Sequence, residues 1–150
     1  MSGALHTFPL DVSAIKGLIP HREPLLFINE VISLDGNKLA ARTVFVASDP
    51  TFSGHFPGNP VVPGVYTLEA MAQACALFTS LSKGFTDKTV SYLFAGGEFR
   101  FKRPIMPDEV IDIEVEFTGE RRQLMSFSCV AKVGQNVATT ALVTAHYKPL

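Results

Sequence analysis

Val65-Tyr66-Thr67-Leu68-Glu69-Ala70-Met71-Ala72-Gln73-Ala74-Cys75-Ala76-Leu77-Phe78-Thr79-Ser80-Leu81 contains neither glycine nor proline and carries a single charge, on Glu69. Plotted at helical spacing, Leu68, Met71, Ala72, Cys75, Ala76 and Phe78 cover most of the circumference. A helix that is apolar nearly all round is a buried helix. The stretch therefore predicts one central helix over Val65–Leu81, stopped by Gly84–Lys88. Whatever surrounds it must supply the rest of the core.

On both sides the pattern changes to strands. Leu25–Leu34 and Leu39–Val46 flank Asp35-Gly36-Asn37, and Asp-Gly between such runs signals a hairpin. After the helix come short runs at Val90–Phe94 and Glu98–Phe101. Val110–Thr118 alternates Val110, Ile111, Ile113, Val115 and Phe117 with Asp112, Glu114 and Glu116. Met125–Val133 and Val137–Tyr147 follow polar turns. A short helix is expected over Asp11–Leu18 with Asp11 or Ser13 as its cap. Strands on either side of one buried helix define an α+β fold, an antiparallel sheet wrapped around that helix.

The chain has 150 residues, 47% of them hydrophobic, which suits one domain over 1–150 with a flexible stretch at 1–10. The formal charge of −1 implies no bulk attraction to nucleic acid or to an anionic membrane. No basic region followed by a continuous apolar one stands at the N-terminus, and no run reaches the ~20 apolar residues that span a bilayer. A cytoplasmic location is expected. Cys75 and Cys129 lie in apolar runs without metal-ligand spacing and read as free buried thiols. No metal site is expected.

The chemistry concentrates just before the helix, in Ser53-Gly54-His55-Phe56-Pro57-Gly58-Asn59-Pro60-Val61-Val62-Pro63-Gly64-Val65. Prolines fix φ and glycines allow close approach, so this loop holds His55 in place. A loop histidine is often only structural, but His6, His21 and His146 lack such a frame; His21, between two prolines, suits a structural hydrogen bond. Glu69 reads either as a surface carboxylate on the one wet stripe of the helix or as a buried, paired one, with Gln73 one turn on. Gly64 and Val65 open the helix, where free amides bind an anion or polarise a carbonyl oxygen. An ordinary loop-to-helix joint is the plainer reading. A base, an acid and an oxyanion donor in one segment are what proton abstraction beside a carbonyl requires.

The segment Gly54–Val65, continued by Leu68-Glu69-Ala70-Met71-Ala72-Gln73-Ala74, resembles the signature of FabZ-type 3-hydroxyacyl-(acyl carrier protein) dehydratases. Leu18-Ile19-Pro20-His21-Arg22 with Pro24-Leu25-Leu26 resembles the family's N-terminal segment, and Phe94-Ala95-Gly96 with Arg100-Phe101-Lys102-Arg103-Pro104 a later one. The likeness runs from about Leu18 to about Tyr147. It implies the hot-dog fold and dehydration of 3-hydroxyacyl thioesters to trans-2-enoyl thioesters, in fatty-acid synthesis or a specialised acyl or polyene pathway. It also implies His55 and Glu69 as the catalytic pair, with Glu69 supplied by the other subunit of a dimer, the amide of Gly64 as oxyanion contact with Val65 beside it, and Tyr92 as the gate of an acyl tunnel.

The implied partners are acyl carrier protein and a second copy of the chain, as a homodimer or a trimer of dimers. No cofactor is expected beyond the phosphopantetheine that the carrier brings. Arg100, Lys102 and Arg103, with Arg121 and Arg122, could form the carrier's landing patch or be ordinary solvated charge. Departures from the family pattern fall at Asn29, Asn59, Gly96-Gly97-Glu98 and Asp108, and none removes a catalytic group. Two alternatives remain at this stage: a hot-dog acyl thioesterase and a non-catalytic acyl-binding subunit.

Overall fold

The computed structural model describes residues 6–150. The elements are α1 (Val12–Lys16), β1 (Glu30–Asp35), β2 (Lys38–Val44), α2 (Thr51–Gly54), α3 (Gly64–Lys83), β3 (Val90–Phe101), β4 (Val110–Arg121), β5 (Leu124–Val133) and β6 (Asn136–Pro149). The strands form one sheet in the order β1-β2-β4-β5-β6-β3, antiparallel at every pairing. The sheet curls around α3, which is buried on almost every face from Thr67 to Leu81. This is the α+β hot-dog arrangement.

The core forms where the inward residues of the strands meet the helix. Ile111, Ile113 and Val115 of β4, Met125, Phe127 and Cys129 of β5, and Ala141 and Val143 of β6 close over Met71, Ala74, Cys75 and Leu77. The alternation read in β4 is the alternation observed. Phe78 packs edge-on against Phe127 at 5.6 Å between centroids. Cys75 and Cys129 are free and buried, their sulfurs 3.7 Å apart, and burial pushes the Cys75 thiol well up.

Three local features differ from the sequence reading. The first strand begins at Glu30 and not at Leu25. The backbone of Leu25 and Phe27 is taken up by the side chain of Gln73, which accepts from the Phe27 N–H at 2.8 Å and donates to the Leu25 carbonyl at 2.6 Å. Second, the two short runs at 90–94 and 98–101 are one long edge strand, with a register shift between Phe94 and Gly96. Third, a turn of helix, α2, precedes His55.

Of the N-terminal stretch expected to be flexible, residues 1–5 lie outside the described residues. At its far end Leu10 is buried and exchanges two backbone hydrogen bonds with Val31, at 2.8 and 3.0 Å. Asp11 caps α1 by accepting from the Ala14 N–H at 2.9 Å.

Candidate active site

His55 sits at the C-terminal end of α2, its N–H bonded to the Thr51 carbonyl at 3.0 Å. The loop then doubles back. Phe56 and Asn59 exchange backbone hydrogen bonds of 3.1 and 2.8 Å, and the Val61 N–H reaches the His55 carbonyl at 3.0 Å. The Nδ1 atom of His55 lies 2.8 Å from the carbonyl oxygen of Val61. A carbonyl only accepts, so Nδ1 carries the hydrogen and the lone pair is on Nε2. The ring is stacked on Phe56 at 4.1 Å. Asn59, a departure from the family pattern, closes this turn through its backbone.

The loop ends at Pro63, and α3 starts at Gly64 without a side-chain cap. The Gly64 and Val65 amides have no partner among the described residues. The Val62 N–H is anchored to the Ile105 carbonyl at 2.8 Å. The ring of Phe101 lies so close over Gly64 that a Cβ there would stand 2.6 Å from it. Only glycine fits beneath this ring where it stands. Gly64, Thr67, Phe101, Arg103 and Ile105 line a cavity of about 380 Å³.

Glu69 lies further along α3 and faces a different cavity, of about 210 Å³, lined with it by His21, Ala72, Ala76, Tyr92 and Ala145. Its Oε1 accepts from the Gln73 Nε2 at 3.0 Å. His21 Nε2 stands 3.8 Å from the same oxygen, while His21 Nδ1 is buried without a partner among the described residues. Burial, the largest influence, lowers the His21 pKa below the usual imidazole value; Glu69 raises it and Arg22 lowers it. The structural hydrogen bond expected of His21 is therefore absent among the described residues, and the ring is instead a wall of the Glu69 cavity. The signal for this was its place in the segment before the first strand, which the buried Gln73 draws onto α3.

Within one chain the structure ties His55 to Val61, which lines the Gly64 cavity, and places Glu69 in one cavity with His21 and Tyr92. No hydrogen bond or ion pair joins His55 to Glu69 among the described residues, and the two cavities share no residue. Val65 is exposed at the helix start, 66% accessible. Tyr92 is not a free side chain. Its hydroxyl lies 2.6 Å from Ser80 Oγ, and burial pushes the phenol well above its ordinary pKa. The exposed neighbour is Leu93.

The basic residues separate into groups. Arg103 is held by both oxygens of Glu109, at 3.0 and 3.3 Å, and lines the Gly64 cavity. Arg100 and Lys102 are exposed and make no ion pair among the described residues. Arg121 and Arg122 lie at the β4–β5 turn. Through the register, that turn is level with His146, whereas Arg100 pairs with Thr140. Six residues of strand separate the two groups, about 20 Å, so the five do not form one patch.

Two other departures have structural accounts. Asp108 has a left-handed backbone, φ 68°, where asparagine and aspartate are the better-tolerated side chains. Its carboxylate accepts from the Ala47 N–H at 2.9 Å. Asn29 Oδ1 accepts from the Val44 N–H at 2.8 Å, extending the β1–β2 pairing.

The hot-dog fold has clear counterparts among solved structures. The dehydratase heterocomplex ApeI:P from Xenorhabdus doucetiae superposes with a TM-score of 0.76 at 20% identity, covering 95% of this chain and 93% of that one. A mutant of the thioesterase PA1618 from Pseudomonas aeruginosa gives 0.62 at 10% identity, covering 82% of each. At these identities the likeness is one of fold.

The sequence carries the narrower assignment. The FabA-like domain model matches residues 19–142. The 3-hydroxyacyl-(acyl-carrier-protein) dehydratase FabZ of Yersinia enterocolitica is 42% identical over 146 residues, covering 95% of this chain and 87% of its own. That of Yersinia pestis strain Pestoides F is also 42% identical, covering 95% and 83%. The chain belongs to the FabA-like, FabZ-type dehydratase family.

Proposed function

We propose that the protein removes water from 3-hydroxyacyl thioesters carried on acyl carrier protein, giving trans-2-enoyl thioesters. The reading is supported by family membership at 42% identity over 95% of the chain. The observation that carries the residue roles is the His55 Nδ1 contact with Val61, which leaves Nε2 as a held, proton-accepting atom.

In the proposed reaction the thioester carbonyl oxygen accepts from the Gly64 amide. His55 Nε2 takes the C2 proton as charge develops on that oxygen, and the enolate electrons expel the C3 hydroxyl. Glu69, from a second subunit, gives that hydroxyl a proton, so water leaves. His55 ends protonated and Glu69 ionised, and a proton returns from one to the other before the next turnover. No cofactor takes part in these steps; phosphopantetheine belongs to the substrate. Preorganised donors of this kind contribute about 10²–10³-fold each, and an acid–base group about 10²–10⁴-fold.

A homo-oligomer completes the site in this reading. The absence of a hydrogen bond or ion pair between His55 and Glu69 among the described residues of one chain is in keeping with it, and the uncovered edge strand β3, where Leu93, Phe94, Phe99 and Phe101 are exposed, supports it. An unpaired apolar edge of this length is a surface for another strand. The carrier's landing site is proposed at Arg100 and Lys102, beside the Phe101 that covers Gly64. No helix among the described residues is long and apolar enough to cross a membrane, and a cytoplasmic location is proposed.

The test is mass-spectrometric analysis of purified protein acting on 3-hydroxydecanoyl-carrier protein. Loss of water with the thioester intact is expected. Release of free carrier thiol would assign a thioesterase, and binding with no turnover over a panel of chains an acyl-binding subunit.

A further inference from the structure

We propose that His21 is a positioning residue for the reaction: with Gln73 it holds Oε1 of Glu69, which leaves Oε2 as the oxygen that delivers the proton. This rests on the dehydratase reading above. Gln73 Nε2 gives one hydrogen to the Leu25 carbonyl at 2.6 Å and the other to Oε1 of Glu69 at 3.0 Å. His21 Nε2 faces the same oxygen at 3.8 Å. Two nitrogens thus converge on Oε1, and no hydrogen bond reaches Oε2 among the described residues. Contacts of this length tighten when substrate fills a site.

The tautomer of His21 follows from its surroundings. Oε1 is an acceptor for Gln73, so Nε2 of His21 meets it as a second donor and the ring's lone pair is on Nδ1. The other tautomer would turn two lone pairs, on Nε2 and on Oε1, towards each other. His55 has the reverse arrangement, with its hydrogen on Nδ1. One histidine keeps a lone pair for the C2 proton, and the other keeps a hydrogen for the carboxyl group. Burial disfavours a charge on His21. The ring therefore holds Glu69 without the cation that would favour its ionised form.

The backbone around His21 is fixed from both sides. Arg22 Nη1 donates to the Ile19 carbonyl at 3.0 Å and the His21 carbonyl at 2.6 Å. Its Nη2 donates to the Lys16 carbonyl at 2.8 Å and to Asp87 at 2.9 Å. Asp87 is itself anchored, its N–H bonded to the Gly17 carbonyl at 3.0 Å. On the far side Gln73 holds Leu25 and Phe27. Side chains of a loop braced in this way keep their aim.

The experiment measures kcat and KM of the full chain on 3-hydroxydecanoyl-carrier protein. His21→Leu should lower kcat by about 10–100-fold, the worth of a hydrogen bond to a charged group. KM should change little, because the contact acts on proton delivery and not on binding. His21→Gln puts an amide N–H where Nε2 stands and should recover most of the loss. His21→Asn puts it where Nδ1 stands and should not; this pair carries the test if His21→Leu fails to fold. In a Glu69→Gln background, which has no proton to deliver, His21→Leu should cost far less than in the wild-type protein. Wild-type kcat in His21→Leu, equal rates for the Gln and Asn variants, or equal cost in both backgrounds overturns the proposal and leaves the dehydratase reading intact. No water loss in the wild-type protein overturns that reading, and the proposal with it.

Discussion

Gln73 and Glu69 are joined by a 3.0 Å hydrogen bond from the Gln73 amide nitrogen to Oε1 of Glu69. The same buried amide holds the backbone of Leu25 and Phe27. One side chain therefore fixes both the proposed acid and the segment that carries His21 towards it. Gln73→Leu orphans the buried Phe27 N–H, costing on the order of 1–3 kcal/mol, and removes the part-buried bond to the Leu25 carbonyl. The expected result is a Tm lower by at least about 2 °C in thermal unfolding, together with reduced turnover. An unchanged Tm would contradict the bracing role.

At Gly97 it is the main chain of the neighbouring strand that leaves no room for a side chain. A Cβ there would stand 2.2 Å from the Leu142 carbonyl oxygen on the paired strand, and the residue has φ 159°. The obstacle is main chain, so β3 and β6 must separate. Gly97→Ala should destabilise the fold by about 1–3 kcal/mol, read by urea unfolding. Gly96→Ala, with open space at its Cβ, should cost far less. Equal effects would contradict this account of the Gly96-Gly97 departure.

His21 gives a pH dependence with a definite sign. Burial holds its pKa below the ordinary 6.5 in the folded chain, against Glu69 and with Arg22. The unfolded chain then binds a proton on this ring at higher pH than the folded chain does, and stability rises with pH through that window. The neutral ring's contribution is complete above about pH 6.5 and is lost as the pH falls through the lower, folded value. In His21→Leu the acid-side loss of stability should be shallower than in the wild-type protein, measured by chemical denaturation across pH. Parallel curves would contradict it.

Much of the fold is legible in the residues themselves. The period-two alternation of Val110–Thr118 and the apolar girth of Val65–Leu81 fix the sheet and its central helix, because each pattern has one way to bury itself. The proline and glycine frame marks His55, since few loops restrict the backbone so heavily. What stays hidden depends on partners distant in sequence. Leu25–Asn29 looks like strand because nothing local says that the Gln73 side chain will occupy its hydrogen bonds. Tyr92 looks like a free gate because its partner, Ser80, lies on another element. The charge of Arg103 is satisfied by Glu109 across a turn that composition does not display.

Charge reversal separates carrier docking from chemistry. Arg100→Glu with Lys102→Glu should weaken turnover of carrier-linked substrate, mostly through KM, with a steeper loss at low ionic strength where exposed charges act furthest. Turnover of the corresponding N-acetylcysteamine thioester, which has no carrier to dock, should fall much less. Equal losses on both substrates would place the effect in the site itself.

The central claim is that His55 and Glu69 act on one substrate from two subunits. Its most direct test mixes two inactive variants. His55→Ala and Glu69→Ala, purified separately, should each lose about 10²–10⁴-fold in rate. Unfolded and refolded together, or co-expressed, they should regain roughly a quarter of wild-type water loss, since random pairing makes half the dimers mixed and each mixed dimer holds one intact site. No recovery in mixed dimers that are shown to form, or near-wild-type turnover in either variant alone, would contradict the account.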